Sequence, residues 1–179
     1  MDKIVIPLEA GSPQPASALS LRPWQPSDAP ALLAAAQDPA LRHWTSLAVD
    51  TEADAERWID EQRQGRESGR RLAFAVVGEG DGLLGHVVLK RTAVAVAEVG
   101  YWTAAEARGR GVAPNALLAL TEWAFSRYGS LERLELIHQL DNAASCRVAV
   151  KCGYGLEATL PALPPAYPLD GHLHVRVRN

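Results

Sequence analysis

The sequence predicts an α/β fold of the α+β kind: a mixed, mostly antiparallel central sheet, splayed at one parallel strand pair and flanked by about four helices. Three observations predict it. Runs at 72–77, 83–89 and 94–103 are rich in β-branched and aromatic residues, and Gly78, Gly80 and Gly82 crowd the first connection, so the middle of the chain reads as an antiparallel meander. A helical run at 114–128 then separates the strand at 98–103 from a further strand at 133–138, and strand, helix, strand implies a parallel pair joined by a crossover. Where antiparallel pairing gives way to parallel pairing, at 98–103, neighbouring strands can splay and expose unpaired backbone groups.

The 179 residues suffice for one domain with a sizeable core and are too few for two comfortable ones. The division expected is an extended lead-in at 1–18, Pro/Ser/Ala-rich over 10–18, and a single domain at 19–179. An apolar content of 47% with 22% charged residues is that of an ordinary folded domain rather than a disordered one. The net charge of -3 argues against a nucleic-acid partner, which requires a basic face. No apolar run is long enough to span a bilayer, and residues 1–7 lack a signal-peptide layout, so the expectation is a cytoplasmic chain with no membrane partner. Cys146 and Cys152 fall on one helix at a separation poor for bridging and read as buried thiols without chemistry.

The remaining elements follow from local signals. A strand at 19–23 opens the body, Ser27 or Asp28 caps a helix through about Gln37, and Pro39 ends it. Thr51 with Asp54 forms a capping-box pattern, and Ala55, Trp58, Ile59 and Gln62 continue a second helix to Gly65 or Gly69. After the strand at 133–138 comes a helix at 143–151, broken by Gly153 and Gly155. A strand at 156–160, a proline-rich connection and an alternating strand at 172–177 complete the chain.

Arg108, Gly109, Arg110, Gly111, Val112 and Ala113 lie between a strand and a helix, which makes them a candidate phosphate cradle. Glycine lets successive N–H groups converge, and a helix start adds unpaired donors with partial positive charge. A nucleotide-hydrolysing P-loop would need Lys and Ser/Thr after the last glycine, but Val112, Ala113 and Pro114 follow. A dinucleotide fingerprint would follow the first strand of a parallel unit, whereas this cradle follows an antiparallel meander. A pyrophosphate for the cradle and an amide-bearing arm for the splayed strand are both present in coenzyme A.

Glu98-Val-Gly-Tyr-Trp, the Arg-x-x-Gly-x-Ala core at 108–113, and Asn142-Ala-Ala-Ser145-Cys-Arg147 running on to Gly153-Tyr154 together resemble the GNAT acyltransferase superfamily. More narrowly they resemble its Rim-type branch, which contains ribosomal-protein N-terminal acetyltransferases. The resemblance covers roughly Leu19 to the C-terminus. It implies a GNAT-like sheet and an acetyl-CoA-dependent N-acetyltransferase acting on a primary amine, either a protein N-terminus or a small molecule. An acyl-CoA-binding sensor without catalysis is the alternative. The implied partners are acetyl-CoA and the amine, with the chain acting as a monomer or homodimer and no metal.

The resemblance also implies residue roles. Main-chain donors of Arg108 to Ala113 hold the pyrophosphate, and pantetheine lies along Tyr101, Trp102 and Thr103. Direct attack of the amine on the thioester requires an oxyanion site, a base for the ammonium proton and a donor for the leaving thiolate. Ser145 is the donor candidate, because Ala149 occupies the position where many superfamily members carry tyrosine. Asn142 is placed to contact pantetheine, to cap its own helix, or both. Glu98 is the base candidate, directly or through water. Trp44 lies in the segment that forms an acceptor wall in this family, with Asp50, Glu52, Asp54 and Glu56 nearby. His172 and His174 share one strand face and His86 and His138 are read on others; without Cys/His spacing, satisfied or surface histidines are expected rather than a metal site. The other tryptophans, Trp24, Trp58, Trp102 and Trp123, read as core.

Overall fold

Thirteen regular elements follow the chain in the computed structural model, which describes residues 3–6, 19–165 and 167–178. They are β1 (Ile4–Ile6), β2 (Leu19–Pro23), α1 (Ala29–Ala36), α2 (Pro39–Trp44), α3 (Glu52–Glu67), β3 (Arg71–Val77), β4 (Leu83–Arg91), β5 (Val96–Thr103), α4 (Val112–Arg127), β6 (Arg133–Gln139), α5 (Ala143–Lys151), β7 (Gly155–Leu160) and β8 (Gly171–Val177). The stretch at 10–18 lies outside the described residues. Ile4–Ile6, which the sequence sets apart from the body, pairs antiparallel with β2.

The strands form one eight-stranded sheet in the order β1-β2-β3-β4-β5-β6-β8-β7. Every pairing is antiparallel except β5 with β6, the pair joined through α4. Alternation along the strands divides the apolar residues between two faces. Leu72, Phe74, Val87, Leu89, Val99 and Leu136 meet α4 and α5 on one face, where Leu117, Leu120 and Ala149 are fully buried. Ala73, Ala75, Val77, Val88 and Trp102 meet α1, α2 and α3 on the other, through Leu32, Leu41, Ala55 and Ile59.

Thr51 and Asp54 form the expected reciprocal cap, in which the Thr51 side chain accepts from the Asp54 N–H and the Asp54 carboxylate accepts from the Thr51 N–H. Pro39 has a second role that the sequence reading missed. It occupies the first position of α2, where a missing N–H costs nothing, and the Asp38 carboxylate caps this helix by accepting from Ala40 N–H. The flanks therefore carry five α-helices among the described residues rather than four. Gly85 is required for a different reason: a Cβ there would lie 2.4 Å from the Trp102 carbonyl oxygen on the adjoining strand. Only hydrogen lets β4 and β5 approach this closely.

Arg22 on β2 makes a two-pronged pair with Asp28 at the start of α1, with both N–O distances 2.8 Å, and Asp28 also accepts from Gln25 N–H. Both side chains are buried to about nine-tenths, with relative exposures of 10% and 9%. A buried pair contributes little net, but removal of Asp28 takes two charge-assisted hydrogen bonds from Arg22. Asp28→Ala is expected to cost about 1.5–3 kcal/mol, the scale of a hydrogen bond to a charged group, read as a lowered midpoint in urea unfolding.

Candidate active site

The parallel ladder between β5 and β6 runs only from Val96↔Arg133 to Val99↔Leu136. Beyond it, Gly100 to Thr103 pair with β4 alone and Ile137 to Gln139 with β8 alone, so the two strands diverge toward their C-terminal ends. The connections leaving those ends lead to the N-termini of α4 and α5. The divergence leaves a crevice outside the carboxyl ends of two parallel strands, a place where open α/β sheets take up ligands.

The cradle forms one side of the opening. Ala105–Ala107 make a single 3-10 turn, Gly109 and Gly111 adopt φ of 73° and 77°, and α4 starts at Val112. Those left-handed conformations are the ones glycine adopts without strain. Among the described residues the N–H groups of Gly109, Arg110 and Gly111 donate no hydrogen bond within the fold. The first bond of α4 is donated by Asn115 to the Gly111 carbonyl, and Pro114 has no N–H, so Val112 and Ala113 add first-turn donors. Arg108 pairs with Asp38. Arg110 carries the exposed charge of the loop.

α5 forms the other side. Asn142 is its N-cap, with the side-chain oxygen accepting from Ser145 N–H at 3.0 Å, so one of the two uses weighed for Asn142 is present. The Ser145 hydroxyl is not engaged in capping. It accepts a hydrogen bond from the Tyr101 hydroxyl at 3.0 Å, across from the diverging part of β5. Burial pushes the Tyr101 phenol up to about 12, against the opposing effect of its bond to Ser145. Tyr101 thus stays protonated as a donor. Sequence reading assigned it to the pantetheine strand alone, because nothing local discloses that α5 lies over its ring.

Glu98 and Trp102 lie on the opposite face of β5 from Tyr101 and Ser145. Glu98 sits one residue before the end of the parallel ladder, beside Glu135 in register, and its carboxylate receives Lys90 Nζ from β4. Thr103 pairs with Gly85 at the far end of β5. α2 spans the mouth of the opening, since Asp38 at its start meets Arg108 and His43 near its end lies 4.0 Å from Asp141, just before α5. Trp44 ends this helix, half-buried, with its ring edge-on to His43 at 4.3 Å. Of the acidic residues near it, Asp50 pairs with Arg42 and Asp54 with Thr51 and Arg57.

An aromatic cluster backs the α3 side. Trp24 Nε1 donates to His86 Nδ1 at 3.1 Å, and the His86 ring stacks on Trp102 at 5.7 Å with Trp58 edge-on at 5.4 Å. His138 differs from its expected placement. It stands directly opposite His172 across β6 and β8, so it shares a face with His172 and His174 rather than occupying another.

The described sequence matches the family model for the acetyltransferase (GNAT) domain over residues 18–155. The chain belongs to the GNAT acetyltransferase family. It is an acyltransferase enzyme. It is 29% identical over 134 residues to the ribosomal-protein-serine acetyltransferase of Escherichia coli K12, covering 72% of this chain and 73% of that one. Among solved structures it is similar to Mycobacterium smegmatis RimJ in complex with CoA-disulfide, with a TM-score of 0.81, 24% identity, and coverage of 98% of this chain and 87% of that one. It is also similar to the microcin C7 self-immunity acetyltransferase MccE in complex with acetyl-CoA and AMP, with a TM-score of 0.80, 20% identity, and coverage of 89% and 92%. These two likenesses bear on the GNAT fold. No helix among the described residues is long and apolar enough to cross a membrane.

Burial sets the titration of His86, pulling it down to about 3, with Arg71 and Lys90 adding repulsion. A histidine depressed from its ordinary value lets the unfolded chain bind the extra proton between the two values, so stability is complete above about 6.5 and declines as the pH falls toward 3. Urea unfolding of wild type at pH 7 and pH 5 should show a loss approaching about 1.4 kcal/mol per pH unit from this group. His86→Gln should flatten that dependence.

Proposed function

We propose that this chain transfers the acetyl group of acetyl-CoA to a primary amine, with a protein N-terminal amine as the first candidate and a small-molecule amine as the second. The observation that carries the reading is the divergence of β5 and β6 with uncommitted N–H donors on one side and the Tyr101–Ser145 hydroxyl pair on the other. The similarity to the E. coli ribosomal-protein-serine acetyltransferase favours a peptide amine.

In this mechanism the pyrophosphate binds the N–H groups of Arg108 to Ala113, with Arg110 adding charge, while Arg108 holds the loop to α2 through Asp38. Pantetheine amides pair with the free edge of Tyr101, Trp102 and Thr103, and Asn142 lies at the same opening. The amine nitrogen attacks the thioester carbon, and the oxyanion meets backbone N–H of the diverging strand. As the C–S bond breaks, Ser145 gives its proton to the sulfur. Tyr101 already donates to the Ser145 oxygen, so the serine proton is free to turn outward and can be replaced from the phenol. Glu98, held by Lys90 on the α3 face, takes the ammonium proton through water. Trp44, at the end of α2, forms part of the acceptor wall.

Acetyl-CoA with peptides beginning in Ser or Ala, polyamines, aminoglycosides and amino acids should give acceptor-dependent thiol release. Tight CoA binding without turnover across that panel would instead identify a binding module. Ser145→Ala is expected to lower kcat by about 10²- to 10⁴-fold with a nearly unchanged KM for acetyl-CoA. Tyr101→Phe should cost about tenfold, the worth of one neutral hydrogen bond. Gly111→Val places a β-branched residue where φ is 77° and should abolish CoA binding in calorimetry. Unchanged binding by that variant would refute the cradle.

A further inference from the structure

The α5 face of the sheet holds a group of side chains that acetyl transfer does not use. His138 on β6 is directly opposite His172 on β8, and His174 follows two residues later on the same face. α5 lies over them and adds Cys146, next to Ser145. The four potential ligand atoms, one imidazole nitrogen from each histidine and the Cys146 sulfur, all lie within 4.8 Å of one another.

The hydrogen bonds of the rings fix which nitrogens face inward. His138 Nδ1 lies 2.8 Å from the Gln139 carbonyl oxygen, and His174 Nδ1 lies 3.3 Å from that of Tyr154. A carbonyl oxygen only accepts, so both Nδ1 atoms carry the proton and, in the neutral ring, each Nε2 presents a bare lone pair. Those two Nε2 atoms and His172 Nδ1 are buried and have no hydrogen-bond partner among the described residues. His138 and His174 are themselves 9% and 0% exposed. Buried polar atoms without partners are costly, and the two bare Nε2 lone pairs cannot satisfy one another. A carbonyl on the outer nitrogen and a free inner nitrogen is also the arrangement that orients a metal-binding histidine.

We propose that His138 Nε2, His172 Nδ1, His174 Nε2 and Cys146 Sγ form a four-coordinate site for a divalent transition-metal ion of the zinc class. The ligand set suits such an ion, since imidazole and thiolate select it over the oxygen-seeking calcium and magnesium. The ring spacing suits it as well. With metal–nitrogen bonds of about 2.0–2.1 Å, three imidazoles at tetrahedral angles have centroids about 5.2 Å apart; the observed separations are 5.2, 5.5 and 5.9 Å. The ligand atoms of a filled site lie about 3.3–3.6 Å apart, so binding draws the four side chains inward by small rotations. Binding also releases the thiol proton as Cys146 becomes a thiolate.

Four protein ligands leave no open position, so the ion ties elements together and does not bind substrate. It joins the first turns of α5, where Ser145 stands, to β6 and β8. Cys152 takes no part, because its thiol donates to the Pro114 carbonyl.

The test uses the full chain without added histidines, chelator-stripped and kept reduced, and titrated with cobalt(II). The expected result is one equivalent bound, with the intense visible bands of tetrahedral cobalt and a near-ultraviolet thiolate-to-cobalt charge-transfer band, both removed by zinc. Cys146→Ser should lose the charge-transfer band, and Cys152→Ser should keep it. His172→Ala, at a half-buried position, should weaken binding by more than about tenfold, the scale at which even outer-shell partners act. Circular dichroism of each variant shows whether it remains folded. A wild-type spectrum that stays that of hydrated cobalt would overturn the proposal, as would wild-type affinity in folded Cys146→Ser and His172→Ala. The readout is metal binding, so its outcome is independent of whether acetyl transfer is found.

Discussion

Four pairs of residues hold β5 to β6, and everything of chemical interest depends on the ladder stopping there. A sheet strand satisfies its backbone through both neighbours, and a strand that loses one must find other partners. From Gly100 onward β5 keeps β4 but leaves β6, so its second edge is available just where the chain turns into a loop of uncommitted N–H groups. Two helix N-termini and an open strand edge therefore converge, with glycine at both left-handed positions of the loop. The crossover through α4 produces this arrangement, since only a parallel pair sends both C-terminal ends in the same direction.

Much of this was legible in the sequence. The meander, the crossover and the caps at Thr51 and Asn142 have short-range signatures, and the boundaries of β2 and α5 follow directly from residues such as Leu19, Pro23, Asn142 and Gly153; Asp28, expected with Ser27 as a cap of α1, gives its carboxylate to Arg22 and Gln25 instead. The cradle was legible because glycine and helix-start geometry are local. Contacts between distant segments were not. Tyr101 alternates like any strand residue, and its bond to Ser145 exists only because α5 lies over the sheet. His138 offered no sign of its company until register set it against His172, although the His-x-His spacing at 172 and 174 was a visible hint. Pro39 was ambiguous in itself: the same ring that cannot continue one helix is well suited to begin the next.

α2 shows how a six-residue helix can matter more than its length suggests. It is too short to be stable alone and contributes Leu41 to the core beneath it. Its ends carry Asp38 and His43, which reach Arg108 on one side of the opening and Asp141 on the other. The His43–Asp141 contact is exposed and of modest strength, while Asp38 is largely buried in its pair with Arg108, and together they fix where Trp44 stands relative to the divergent strands.

The position of β8 has a consequence for how the sheet comes into being. Because β8 lies between β6 and β7, β7 has no neighbour in the sheet and β6 has only β5 until residues 171–177 have been made. The far part of the sheet therefore closes only when β8 takes an interior place, rather than by addition to a rim. Until then β6 has hydrogen-bonding groups exposed on its outer side, and α5, with Ser145 and Cys146 on it, has no completed floor on which to settle. The strands β2 to β5 pair with one another without β8, but the side of the cleft that carries the serine waits for it.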